Sequence, residues 1–328
     1  MARTSISQPG GGGEIKSGPA NALKKALLLL LKFSVSGTLL FLVLRRAGFQ
    51  NVVRAIKGIN PALFVAAAGF YLAGSFVSSL RWRLFVDSGL KLRKFFSLYM
   101  LGCFFSMFLP GLVGGDAFKG YYLYRETGKM AEAMASIFME RYLGFVALLV
   151  MAALAYPVGL PYLKTAALTV PAGHPVHLEL AWYLPALFMA FLVFSLVFFR
   201  FRLGSRIRLM ADFYGYFGLY GRRRIFKGVL LSFGVQALAV GSVYTLSRGL
   251  GMDASLPLFF IFVPLIVTFS AIPLSISGIG IREASFVLLF GSVGVPPRTA
   301  IALSFAWFLS VAAGSLAGLY EYLKIKRG

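Results

Sequence analysis

Long apolar runs alternate with short basic stretches along most of this chain. After a Gly/Pro-rich start, from Met1 to about Asn21, the apolar runs are Lys24–Leu44, Pro61–Leu80, Phe95–Val113, Ala131–Ala155, Ala181–Phe199, Gly228–Ser247, Leu256–Ile272 and Thr299–Leu323. Runs of about 20 apolar residues match the hydrocarbon thickness of a bilayer, so these predict helices that cross or dip into a membrane. The short alternating segments of an outer-membrane barrel are absent. The pattern therefore predicts an all-α polytopic membrane protein with about six full spans plus two broken, re-entrant segments. In this reading residues 1–22 are a disordered cytoplasmic tail and residues 23–328 a transmembrane domain. Its halves, 23–155 and 181–323, are candidates for an inverted repeat.

The two broken segments share a grammar. Phe108 to Lys119 reads Phe-Leu-Pro-Gly-Leu-Val-Gly-Gly-Asp-Ala-Phe-Lys, with Pro110, Gly111, Gly114, Gly115 and a charge at Asp116. Ile272 to Glu283 reads Ile-Pro-Leu-Ser-Ile-Ser-Gly-Ile-Gly-Ile-Arg-Glu, again a proline, small residues, glycines and then charge. Proline removes a backbone donor and glycine weakens a helix, which leaves polar groups that hydrocarbon cannot satisfy. Paired breaks in corresponding halves point to a binding site between the halves.

Composition supports the class. Hydrophobic residues make up 59% and charged residues 13%, with mean hydropathy +0.80. Soluble domains run at about 45–50% apolar and 25% charged. The net charge of +22 would suggest nucleic acid in a soluble protein. Here the basic residues sit in loops beside apolar spans, where they set topology and meet anionic headgroups, so no nucleic-acid partner is expected. The single cysteine, Cys103, excludes an intrachain disulfide and a cysteine-cluster metal site.

Charge also sets a topology. Eight Lys/Arg against one acid, Asp212, lie between Arg200 and Lys227, which marks that segment as cytoplasmic. Its aromatic middle, from Phe213 to Tyr220, predicts an amphipathic stretch at the interface. Tyr156 to Leu180 is the least basic long loop and faces away. Both termini are then cytoplasmic, with one re-entrant segment dipping from each side of a bacterial or archaeal cytoplasmic membrane. The Arg45 to Lys57 loop is the misfit, being basic yet placed outside.

Ionisable residues at membrane depth are costly and mark pathways or pairs. The candidates are Asp116, Lys119, Glu140, Arg141, Arg282 and Glu283. Helix neighbours diverge by about 100°, so Glu140 is not expected to satisfy Arg141, nor Arg282 to satisfy Glu283. Cross-pairing between the halves is expected instead: Glu140 or Asp116 with Arg282, and Arg141 or Lys119 with Glu283. Guanidinium forks and glycine-exposed backbone N–H groups suit a lipid phosphate. The competing reading makes these charges structural latches between helices.

The ordered motifs resemble a family. Pro110-Gly-x-x-Gly114-Gly115-Asp116-x-x-Lys119, then Glu140-Arg141-x-x-Gly144, then Pro273-x-Ser275-x-Ser277-Gly278-x-Gly280-x-Arg282-Glu283 are similar to the lysylphosphatidylglycerol synthase transmembrane region. The resemblance implies an integral inner-membrane protein of the flippase-like group, without the soluble aminoacyl-transferase domain of its bifunctional members. Lys119 stands where arginine is often found, which weakens a forked phosphate contact there.

The leading function is a lipid translocase or headgroup-binding protein for an anionic or lipid-linked substrate. An alternative is a membrane-embedded transferase using Asp116, Glu140 or Glu283 as a base. Another is a non-catalytic partner of a separate lipid synthase or glycosyltransferase, docked through Arg222 to Arg224. No P-loop, serine elbow or zinc-peptidase motif appears, and no cofactor or metal is expected, since His174 and His177 are two ligands at most. Gly314-x-x-x-Gly318 predicts helix packing.

Overall fold

Helix starts in this chain are set by local chemistry that the sequence spells out. Asn60 accepts a hydrogen bond from the Ala62 amide at 2.9 Å, and Pro61 takes the first helical position, where its missing N–H costs nothing. Gly280, at φ 85°, turns the chain into a helix whose Glu283 carboxylate accepts from the Gly280 amide at 2.7 Å. A computed structural model describes residues 48–108, 113–169, 208–271 and 278–327, with scattered positions in 34–45 and 186–202. Among the described residues there are helices and no strand. They are α1 (Phe49–Lys57), α2 (Pro61–Arg83), α3 (Leu92–Phe108), α4 (Val113–Thr127) and α5 (Met130–Thr169). After these come α6 (Arg208–Leu219), α7 (Arg222–Gly249), α8 (Leu256–Ala271), α9 (Ile281–Gly291) and α10 (Pro297–Arg327).

The protein is an all-α polytopic membrane protein. Pro61–Arg83, Met130–Leu163, Arg222–Gly249 and Pro297–Lys324 are each long and apolar enough to cross a bilayer. The arms of the two broken segments are shorter. At about 1.5 Å per residue, α3 and α4 reach roughly 26 and 23 Å, and α8 and α9 roughly 24 and 17 Å. A hydrocarbon core is about 30 Å thick, so no arm spans it upright.

Long helices α2 and α7 make the most extensive helix–helix contact. Small residues let them approach: Ser242 donates to the Ala67 carbonyl at 3.1 Å, and Gly241 lies against Phe70. Helix α8 is apolar all round, and Phe259, Ile261, Phe262 and Ile266 are fully enclosed, as expected of a helix sheathed by others. The packing also has an internal regularity. Exchange α1–α5 for α6–α10 in order, and among the described residues every helix pair in substantial contact maps onto another such pair, with α2–α7 mapping onto itself. The first arm of each broken segment, α3 or α8, packs on the last long helix of the other set; the second arm, α4 or α9, packs on that of its own.

Glycines permit the tightest approaches. A Cβ at Gly115 would collide with the Gly102 carbonyl and the Ser106 hydroxyl, so α3 and α4 touch backbone to backbone. Gly318 lies against the Met100 carbonyl, and a Cβ at Gly314 would come within 2.5 Å of Tyr71 Cδ1, which bears out the packing role of the Gly314/Gly318 pair.

Several sequence boundaries need correcting. The loop expected from Tyr156 is helical to Thr169, with Pro157 and Pro161 inside α5. Packing outweighs the prolines here: Gly159 lies against Ile261 of α8, and Leu163 is buried. Part of the basic stretch Arg45 to Lys57 is helix α1, held to α10 by Val52 among Ile301 and Ala302. The polar stretch after Val113 is the body of α4. The aromatic stretch after Arg208, expected to be amphipathic, is helical, and Phe213 and Tyr214 bury against α5. The tail, most of the run Lys24–Leu44, part of Ala181–Phe199, and both histidines lie outside the described residues.

Candidate functional site

The charged residues picked out by sequence meet around one cavity, in two clusters. Helices α2, α4 and α5 hold the larger one. Glu140, 1% exposed, takes Arg81 Nη2 on Oε1 at 3.1 Å and Lys119 Nζ on Oε2 at 3.0 Å. Lys119 also reaches Asp116 Oδ1 at 3.0 Å, one turn back on α4. Arg141 grips Asp116 with a fork, Nε to Oδ2 at 2.8 Å and Nη2 to Oδ1 at 3.0 Å. Three cations and two carboxylates thus form one connected chain with a net charge of +1. Burial of such charges is tolerable only because every carboxylate oxygen has a cationic partner. Arg81 Nη1 adds a hydrogen bond to Ser232 of α7 at 2.8 Å, tying that helix to the cluster.

The smaller cluster sits on α9 and α10. Arg282 Nη2 meets Glu283 Oε1 at 2.6 Å, and Arg282 Nε reaches Ser304 Oγ at 3.1 Å. Ser304 donates to Glu283 Oε1 at 3.0 Å. This cluster is neutral. Aromatic faces back both cationic positions: Lys119 Nζ lies 4.5 Å from the Tyr99 ring centroid, and the Arg282 guanidinium 4.9 Å from that of Phe308.

Between the clusters lies a cavity of about 460 Å³, within the roughly 300–1,000 Å³ range of small-molecule sites. Among the described residues Arg141 and Arg282 are the ionised side chains in its wall; Ser75, Ser78, Ser242 and Gln236 supply neutral polar groups, and Tyr71, Tyr99 and Trp307 supply rings. Arg141 keeps 51% of its side chain accessible although it sits beside a fully enclosed glutamate. Guanidinium groups from the two halves therefore share one chamber.

The comparison with known sequences decides the lineage: the profile of the "Lysylphosphatidylglycerol synthase TM region" matches residues 29–318. The chain belongs to this family. It is also 24% identical over 298 residues to a "UPF0104 membrane protein" of Methanothermobacter thermautotrophicus, covering 81% of this chain and 84% of that protein. The motifs on which the lysylphosphatidylglycerol synthase resemblance rested are thus those of a family member.

Within this family member the structure brings Asp116, Lys119, Glu140 and Arg141 together, and sets Arg282, Glu283 and Gly278 across the cavity. Gly115 and Gly280 act through backbone, one by close approach and one by its positive φ, while Gly114 lies half-buried in the first turn of α4. Pro110, Pro273, Ser275 and Ser277 lie outside the described residues.

The expected cross-pairing of Glu140 or Asp116 with Arg282, and of Arg141 or Lys119 with Glu283, is not what forms. Each half satisfies its own charges. Arg282 and Glu283 do meet, because Glu283 folds back to cap Gly280 in the first helical turn and the long arginine follows it. Glu140 and Arg141 diverge as expected, one to Lys119 and the other to Asp116.

Arg81 stands just past the apolar run Pro61–Leu80 and was not among the candidates that the sequence offered. It is 4% exposed and inside α2. The available signal was that no glycine or proline separates Leu80 from Arg83, so nothing stops the helix at the end of the apolar run. Tyr71, Tyr99 and the serines of α2 carried no signal, since hydroxyls on an apolar helix read as packing. Among the described residues no group of three or more His, Cys, Asp or Glu side chains is placed to hold a metal ion.

Proposed function

We propose that this protein binds the headgroup of a phospholipid or lipid-linked intermediate in the cavity between its halves and carries that lipid between leaflets. The single observation behind this reading is the pair Arg141 and Arg282, brought from opposite halves to one chamber. Two guanidinium groups at membrane depth suit a phosphate, and the apolar remainder of the wall suits the start of acyl chains.

The repeating contact pattern supports an inverted repeat, with α3/α4 and α8/α9 as re-entrant hairpins that dip from opposite faces. Their short arms and their packing on the opposite half's last long helix favour that arrangement. In this reading both termini face the cytoplasm and the membrane is the cytoplasmic one; the basic segment Arg200 to Lys227 favours that orientation. A membrane-embedded transferase is less well supported, because Asp116, Glu140 and Glu283 are saturated by their own partners and none lines the cavity.

The test is mass spectrometry of lipids retained after gentle purification, comparing wild type with Arg282→Ala and Arg141→Ala, followed by a vesicle assay of lipid movement. One lipid class enriched in wild type, lost in both variants and moved by wild type in vesicles is the expected result. Identical bulk lipid in all three proteins would leave the charges as latches.

A further inference from the structure

We infer that the cavity selects a lipid whose headgroup is a singly charged phosphodiester bearing hydroxyls, and rejects headgroups that carry an ammonium. The inference rests on the headgroup reading above and adds a charge class to it.

The wall of the cavity is electrostatically one-sided. Among the described residues its charged side chains are two arginines, and no carboxylate lines it. The acids nearby are spent. Asp116 holds Arg141 through both oxygens and Lys119 through one. Glu140 gives one oxygen to Arg81 and one to Lys119. Glu283 gives one to Arg282 and Ser304, and the other to the Gly280 amide. An ammonium placed here would face two guanidinium groups and would find no free carboxylate oxygen.

The balance is also specific in size. The larger cluster carries +1 and the smaller none, so one negative charge brings the site to neutrality. In a low-dielectric chamber a second uncompensated charge of either sign is strongly disfavoured. A phosphodiester supplies one charge. Hydroxyls on the far side of the phosphate would meet Ser75, Ser78, Ser242 and Gln236, neutral groups that both donate and accept.

The experiment uses the purified full chain in detergent and short-chain lipids, read by thermal shift and by native mass spectrometry. The probes are dioctanoyl phosphatidylglycerol, phosphatidylethanolamine and lysyl-phosphatidylglycerol, with glycerophosphoglycerol as the soluble form of the same phosphodiester. The expected result is that phosphatidylglycerol binds at least tenfold tighter than phosphatidylethanolamine and tighter still than the lysyl lipid. The soluble diester should bind at least tenfold more weakly than its lipid form. Gln236→Glu, which adds a carboxylate to the wall, should close most of the gap between phosphatidylglycerol and phosphatidylethanolamine. Gln236→Leu loses the same hydrogen bond to the Gly144 carbonyl and should keep the gap.

Equal or tighter binding of an ammonium-bearing lipid, lost in Arg282→Ala, would overturn the charge class while leaving a headgroup site standing. Soluble diester binding as tight as the lipid would overturn lipid as the source. No lipid binding, or binding indifferent to Arg141→Ala and Arg282→Ala, would overturn the headgroup reading itself, and the charge class with it.

Discussion

Lys119 and Arg282 stand at matching positions in the two broken segments. Each stands nine residues after the proline of its broken segment, Pro110 or Pro273. Each reaches the following long helix at nearly the same sequence distance, Lys119 to Glu140 across 21 residues and Arg282 to Ser304 across 22. The halves differ in where the fully enclosed carboxylate sits, Asp116 of α4 being partly exposed. It is on the long helix α5 in the first half, at Glu140, and on α9 in the second, at Glu283. If the positions are equivalent, the carboxylate can be moved. Glu283→Gln should lower the melting temperature in detergent, and Glu283→Gln with Ser304→Glu should recover more than half of the loss. A double variant no better than the single one would deny the equivalence.

Glu140 neutralises two cations at once, so removing its charge should be more damaging than removing either partner. Glu140→Gln leaves Arg81 and Lys119 facing an amide, and breaking a buried pair in this way costs about 3–5 kcal/mol. Lys119→Met in the same chain restores the net charge of +1 on the cluster. The double variant should therefore be more stable than the sum of the single losses by at least about 1 kcal/mol, the coupling expected of groups in one network. Strict additivity in thermal or denaturant unfolding would show that the lysine and glutamate are not coupled.

The class of the protein and four of its long helices were legible because apolar run length is a local property, read one segment at a time. The candidate residues were legible for a similar reason: charge and helix-breaking residues inside apolar runs are conspicuous wherever they sit. Pairing was not legible. Sequence can say that Arg282 and Glu283 point apart on an ideal helix, but Glu283 bends back to cap Gly280, and that depends on the turn made by a glycine at positive φ. Arg81 was hidden by its position at the end of an apolar run, where a loop and one more helical turn read alike. The continuation of α5 past Pro157 was hidden because the neighbour that stabilises it, α8, lies about a hundred residues away in sequence.

Gly115 should be among the least replaceable residues outside the charged clusters. A methyl group there has no space, since what it would meet is the Gly102 carbonyl, a backbone atom that cannot rotate aside. Overpacking costs about 1–3 kcal/mol in ordinary cores, and the α3–α4 contact should sit at the high end or fail to assemble. Gly69→Ala in α2 is the control, with nothing within 4 Å of its added methyl; helix propensity alone should make it neutral or stabilising by up to about 1 kcal/mol. Gly115→Ala should give little folded protein by size-exclusion chromatography in detergent, with Gly69→Ala at wild-type yield. Comparable yields would mean that α3 and α4 can separate without loss.

Cys103 offers a reporter for the potential inside the cavity, because it lines the wall and is the single cysteine of the chain. A net positive chamber with low-dielectric walls concentrates anions by a factor of about 10 or more. Sulfonate-bearing methanethiosulfonate should therefore label Cys103 faster than the trimethylammonium reagent, after each rate is divided by its rate with a free thiol. That division removes the reagents' intrinsic difference, so the remaining ratio reports the local field. Arg141→Gln should lower the ratio, and phosphatidylglycerol should slow both reagents by filling the chamber. A ratio at or below one in the wild type would mean that the arginine charges are screened from the cavity, and the anion-selective reading would fall with it.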